Sequence, residues 1–78
     1  MKVLKQTYQC TGPEDAVKYI QDKTGRNLTE SERHIVEDAY GHLALEISLE
    51  GASHPLANAS AEEYLQEVME RFNKKTEE

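Results

Sequence analysis

Apolar residues recur at helical spacing through Thr29–Gly51, TESERHIVEDAYGHLALEISLEG, the longest such pattern in the chain. At 100° per residue, Ile35, Val36, Ala39, Tyr40, Leu43, Ala44 and Ile47 fill one half of the circumference. A stripe that wide can face two other helices at once. Thr29 and Glu32 have the spacing of a capping box, in which each side chain satisfies the other residue's backbone amide. Gly51 ends the pattern, so a helix is expected over 30–50. Gly41 falls on the side away from the stripe, where it either permits a close approach or softens the helix.

Two shorter helical patterns flank this one. Pro13 costs no hydrogen bond at a first helical position, and Glu14 and Asp15 complement the positive end of a helix dipole. A helix is expected over 13–24, with Ala16, Val17 and Ile20 inward, Tyr19 at the margin and Gly25 as the left-handed stop. Ser60 and Glu63 form a second capping box, followed by Tyr64, Leu65, Val68, Met69 and Phe72 in one stripe. That predicts a helix over 61–74, with Arg71, Lys74 and Lys75 near its negative end. Between the second and third helices, GASHPLANA is expected to be loop, because Pro55 and the small residues disfavour helix.

The N-terminal residues 1–10 have a different period. Leu4, Gln6, Tyr8 and Cys10 alternate with Lys5, Thr7 and Gln9, the pattern of an extended strand. No second strand pattern follows, so such a strand needs a partner outside its own chain or a copy of itself. The expected fold is mainly α: a small three-helix domain around a long central helix, with an N-terminal strand able to pair across a homodimer.

Composition narrows the setting. The chain has 78 residues and a single cysteine, Cys10, so an internal disulfide is ruled out. A domain this size has a thin core and leans on a second subunit, a metal or a staple for extra stability. A lone cysteine fits a reducing compartment. The first ten residues lack the continuous apolar stretch of a signal peptide. No run approaches the roughly 20 apolar residues that span a bilayer. A cytoplasmic protein with no membrane contact is expected.

The net charge of −6 is uneven. Residues 1–28 carry five cations against three carboxylates, for +2, while residues 29–78 carry four against twelve, for −8. An acidic body repels phosphates, so direct nucleic-acid binding is not expected and a partner with a basic surface is. The roughly nine residues between the second and third helices are also too many for a helix-turn-helix.

Catalytic motifs find no support. Nothing adjacent to Cys10 would activate its thiol. Ser31, Ser48, Ser53 and Ser60 lack the GxSxG elbow. Gly12, Gly25, Gly41 and Gly51 are single and form no phosphate-binding loop. No enzyme and no cofactor is expected.

Candidate interaction residues lie on the other side of the central helix. His34, Asp38 and His42 recur every four residues, with Glu30 and Glu46 continuing the line, a spacing that can present ligands to a divalent metal. The plainer account is a solvated face of ion pairs. Leu45 and Leu49 stand on the same side, away from the core stripe. Either the first helix or the N-terminal segment folds over them, or they form an apolar patch rimmed by Asp38, His42 and Glu46 that meets another protein. Tyr8 and Tyr19 are further candidate anchors, because aromatic residues are enriched at interfaces.

The sequence is best read as a non-enzymatic, acidic protein–protein interaction module that regulates, adapts or inhibits another protein. One alternative is a nucleic-acid mimic presenting Glu30, Glu37, Asp38, Glu46, Glu62, Glu63, Glu67 and Glu70 to a basic site. A second is a divalent-metal-binding domain built on His34, Asp38 and His42.

Overall fold

A computed structural model describes residues 11–76 and contains three α-helices that all touch one another: α1 (Pro13–Thr24), α2 (Glu30–Glu50) and α3 (Ala61–Thr76). Among the described residues there is no strand. The expected N-terminal strand, its pairing across a dimer, and the candidate anchor Tyr8 lie outside the described residues.

The starts of all three helices follow from local chemistry. At α1, Pro13 occupies the first turn, and the Gly12 N–H donates to the Asp15 carboxylate at 2.9 Å. At α2, the Glu32 N–H donates to the Thr29 hydroxyl at 3.2 Å, while the Thr29 N–H donates to the Glu32 carboxylate at 2.8 Å. At α3, the Glu63 N–H donates to the Ser60 hydroxyl at 3.3 Å and the Ser60 N–H to the Glu63 carboxylate at 2.9 Å. Each exchange satisfies donors that a helix start otherwise leaves open.

Helix ends are equally local. Gly25 closes α1 at φ 73°, a left-handed conformation that side chains with a Cβ rarely adopt, and its N–H donates to the Gln21 carbonyl at 2.8 Å. Beyond α2 the chain departs from the expected plain loop. Gly51–Ser53 make one 3-10 turn, closed by the His54 N–H on the Gly51 carbonyl at 3.1 Å. Pro55 follows, and its lack of an N–H stops the turn from continuing. Helix α3 runs two residues past its expected end at 74, and the Thr76 hydroxyl bonds the Phe72 and Asn73 carbonyls there.

The core lies where the three helices meet. Ala16 and Ile20 from α1, Val36, Leu43 and Ile47 from α2, and Tyr64, Leu65, Val68 and Phe72 from α3 are buried, with Leu28 beneath the α1–α2 turn. Val17, Tyr19, Ile35, Ala39, Tyr40, Ala44, Leu56 and Met69 pack around them half-buried. Full burial of a side chain such as Ile20, Leu43 or Phe72 contributes about 1.5–3 kcal/mol. Two tyrosines add polar ties inside this apolar cluster. Their rings meet edge to face, centroids 4.9 Å apart, and the Tyr64 hydroxyl donates to the Tyr40 carbonyl at 2.7 Å. The Tyr40 hydroxyl in turn donates to the Thr11 carbonyl at 2.7 Å, which fixes where the chain enters α1.

The α1–α2 connection is tied from both sides. The Leu28 N–H donates to the Gln21 side-chain carbonyl at 3.0 Å. Arg26 places its two terminal nitrogens on the Glu32 carboxylate at 3.1 and 2.9 Å. That guanidinium, together with the Thr29 amide, holds the Glu32 carboxyl down at about 2.

Candidate functional site

The outer face of α2 is set by angle and left open by packing. His34, Asp38, Leu45 and Leu49 fall within about 60° of one another around the helix axis, on the side opposite Leu43, with His42 at the edge. Helix α1 does not fold over this face. Leu45 is 56 % exposed and Leu49 is 79 % exposed, and they are the only large apolar side chains so exposed among the described residues. Spaced by four, they form one patch.

His34, Asp38 and His42 are all exposed. They do not converge. Eight residues separate the histidines, which places them about 12 Å apart along the axis at 1.5 Å per residue. Metal–ligand bonds of about 2 Å cannot bridge that span. Accordingly, among the described residues no group of three or more His, Cys, Asp or Glu is placed to hold a metal ion. The His34 Nδ1 instead stands 3.9 Å from the Glu37 carboxylate, an exposed pair within one turn.

Asp38 and His42 have another neighbourhood. With Ile35, Ala39, Arg71 and Lys75 they line a groove of about 200 Å³ between α2 and the C-terminal half of α3. Its floor is apolar and its two banks are polar, carboxylate and imidazole on α2, guanidinium and ammonium on α3. The volume falls short of the roughly 300–1,000 Å³ of small-molecule sites.

Glu46 does not belong to the open face. Its carboxylate is turned to α3, where the two terminal nitrogens of Arg71 donate to it at 2.9 and 2.8 Å, while Arg71 Nε donates to Glu67 at 3.1 Å. The Arg71 hydrogen bonds, followed at a distance by His54, pull the Glu46 carboxyl below its ordinary range. Arg71 is pushed the other way, toward permanent charge, chiefly by Glu46. Of the eight carboxylates of the mimic reading, Glu46 and Glu67 are therefore spent on holding α2 to α3, and Glu63 caps its own helix. Glu30, Glu37, Asp38, Glu62 and Glu70 remain exposed and are split between two helices.

Tyr19 is half-buried against the core, with Lys23 Nζ 5.3 Å from its ring centroid. That cation–π contact joins two residues one helical turn apart on α1. The sequence pattern pointed to neither the Glu46–Arg71 tie nor the placement of His54, whose side chain is only 9 % exposed and whose Nε2 lies 3.8 Å from Glu46.

No protein-family model matches the chain, and no curated protein and no solved structure matches it either. Among the described residues no helix is long and apolar enough to cross a membrane.

Proposed function

We propose that this chain is a non-enzymatic protein–protein interaction module whose contact surface is the outer face of α2. One observation supports this reading above the rest: Leu45 and Leu49 stand side by side in solvent, although the same helix buries its opposite face against two others. Single exposed leucines are ordinary on a protein surface. Two that adjoin form the beginning of an apolar contact of the kind that fills the centre of an interface, with Glu37, Asp38 and His42 as its polar rim.

The partner is a protein that brings an apolar side chain to Leu45 and Leu49 and basic groups to the rim. Its natural setting is the cytoplasm. Because the contact is apolar at its centre, its affinity changes little with salt. A nucleic-acid-mimicking contact through the exposed carboxylates would weaken steeply as salt rises. Self-pairing through residues 1–10 is a separate arrangement. Light scattering on the whole chain and on a chain lacking residues 1–10 tests it, through a dimer mass that is lost on truncation.

Site-directed photo-crosslinking tests the reading directly. A photoreactive phenylalanine at Leu49 is expected to give a discrete crosslinked product in cells, while the same group at the exposed α3 position Gln66 gives none. Equal products from both positions, or none from Leu49, would contradict it.

A further inference from the structure

We propose that His54 is a proton-operated latch on the connection between α2 and α3. Its ring sits at the centre of that connection, only 9 % exposed, and each of its nitrogens has a distinct neighbour. Nδ1 receives the Leu56 N–H at 3.0 Å. Nε2 faces the Glu46 carboxylate at 3.8 Å.

An amide N–H can only donate, so Nδ1 must carry a lone pair and the single proton of the neutral ring sits on Nε2. That tautomer pins the turn. The Ala57 N–H reaches the His54 carbonyl at 3.0 Å and the Ala59 N–H reaches the Leu56 carbonyl at 3.1 Å, which brings Leu56 against the core and buries Ala59. When the ring takes a second proton, Nδ1–H and the Leu56 N–H become two donors facing each other, and the bond between them is lost. The same proton turns the Nε2 contact with Glu46 into an ion pair. Protonation thus exchanges a bond that closes the loop for one that draws the ring toward α2.

Among the described residues the charged surroundings are few. Glu46 from α2 faces the ring. Arg71 from α3 stands behind Glu46 and is shared with Glu67. The connection itself, residues 51–60, has no ionisable side chain other than His54. Glu46, held below the ordinary carboxylate range by Arg71, stays ionised through neutral and mildly acidic pH. Among the described residues His54 is thus the titratable side chain placed to act on this loop, and histidine is the side-chain type whose ordinary charge change falls between pH 8 and 5. This latch stands whether or not the outer face of α2 is an interface.

Nuclear magnetic resonance on the isotope-labelled whole chain tests it. At pH 8 the ring nitrogens are expected to report the Nε2–H tautomer, with the Leu56 amide slow to exchange. On acidification to pH 5, the Leu56 and Ala57 amides are expected to shift with the same midpoint as the His54 ring, and exchange protection at Leu56 to fall about tenfold or more. His54→Asn supplies the control, since an asparagine side-chain oxygen accepts an amide two residues on without titrating. It is expected to keep Leu56 protected and to abolish its pH response. An Nδ1–H tautomer at pH 8 would overturn the proposal, as would a ring that titrates while the Leu56 amide stays still, or a Leu56 response that survives in His54→Asn.

Discussion

Arg71 and Glu46 are joined by two hydrogen bonds of 2.9 and 2.8 Å across 25 residues of sequence, and they fasten the C-terminal half of α3 to the second half of α2. The pair sits at the boundary between the core and the open face of α2.

Acid should loosen this tie. Glu46 is depressed by Arg71, and Glu32 is depressed by Arg26 and the Thr29 amide to about 2, from an ordinary value of 4.5. A carboxyl with a lowered folded-state pKa lends stability that is present above its unfolded value and lost as pH falls through its folded one. Stability is therefore expected to decline as pH falls from about 4.5 toward about 2. Urea unfolding at stepped pH, followed by circular dichroism, measures the slope. Glu32→Gln and Glu46→Gln should each flatten it, and a slope unchanged in both would remove these carboxylates from the account.

Tyr64 separates packing from hydrogen bonding. Its ring is fully buried and its hydroxyl donates to the Tyr40 carbonyl. Tyr64→Phe keeps the ring and removes that bond, at a cost of about 0.5–1.5 kcal/mol. Tyr64→Ala also opens a cavity, at about 3–5 kcal/mol. Denaturant midpoints for both variants should show that order. Equal losses would mean that the hydroxyl is the main contribution of this residue.

Two glycines should respond with opposite signs. Gly41 lies mid-helix, and a Cβ there would meet nothing within 4 Å, so among the described residues no neighbour requires its small size. Gly41→Ala is expected to stabilise by about 0.5–1 kcal/mol through helix propensity. Gly25 also has open space around it, but its φ is 73°. Gly25→Ala is expected to destabilise by about 1–2 kcal/mol from the left-handed conformation. Thermal melts of the two variants, one up and one down by several degrees, check the pair.

Much of the fold was legible because its signals are local. Pro13, the Thr29/Glu32 and Ser60/Glu63 boxes, and Gly25 each act within one helical turn, so the helix starts and most of the ends could be read directly. The stripes named the core helices correctly, with Ile35, Ala39, Tyr40 and Ala44 less deeply buried than Val36, Leu43 and Ile47. What escaped depends on how helices are arranged. Angular position alone groups Glu46 with Asp38 and His42, and only the approach of α3 turns its carboxylate to Arg71. Leu28 and Ala59 lie in connections with no periodicity, and the helices on either side bury them. His54 had no pattern to reveal it, since its partners are a loop amide and a side chain on α2. On the outer face, the exposure of Leu45 and Leu49 was one of two readings, and the path of α1 decides between α1 covering them and leaving them bare.

The most direct test of the interface is a comparison of the wild-type chain with the double variant Leu45→Glu/Leu49→Glu. Both are used to isolate bound proteins from cells that make the chain naturally, with recovery quantified by mass spectrometry. Because both positions are exposed, the variant should keep the wild-type circular dichroism and lose no more than about 0.5 kcal/mol of stability. At least one protein recovered in near-stoichiometric amount by the wild type should fall about tenfold or more, the loss expected when roughly 1.4 kcal/mol of binding is removed. A folded variant that recovers the same proteins in the same amounts would contradict the assignment of this face.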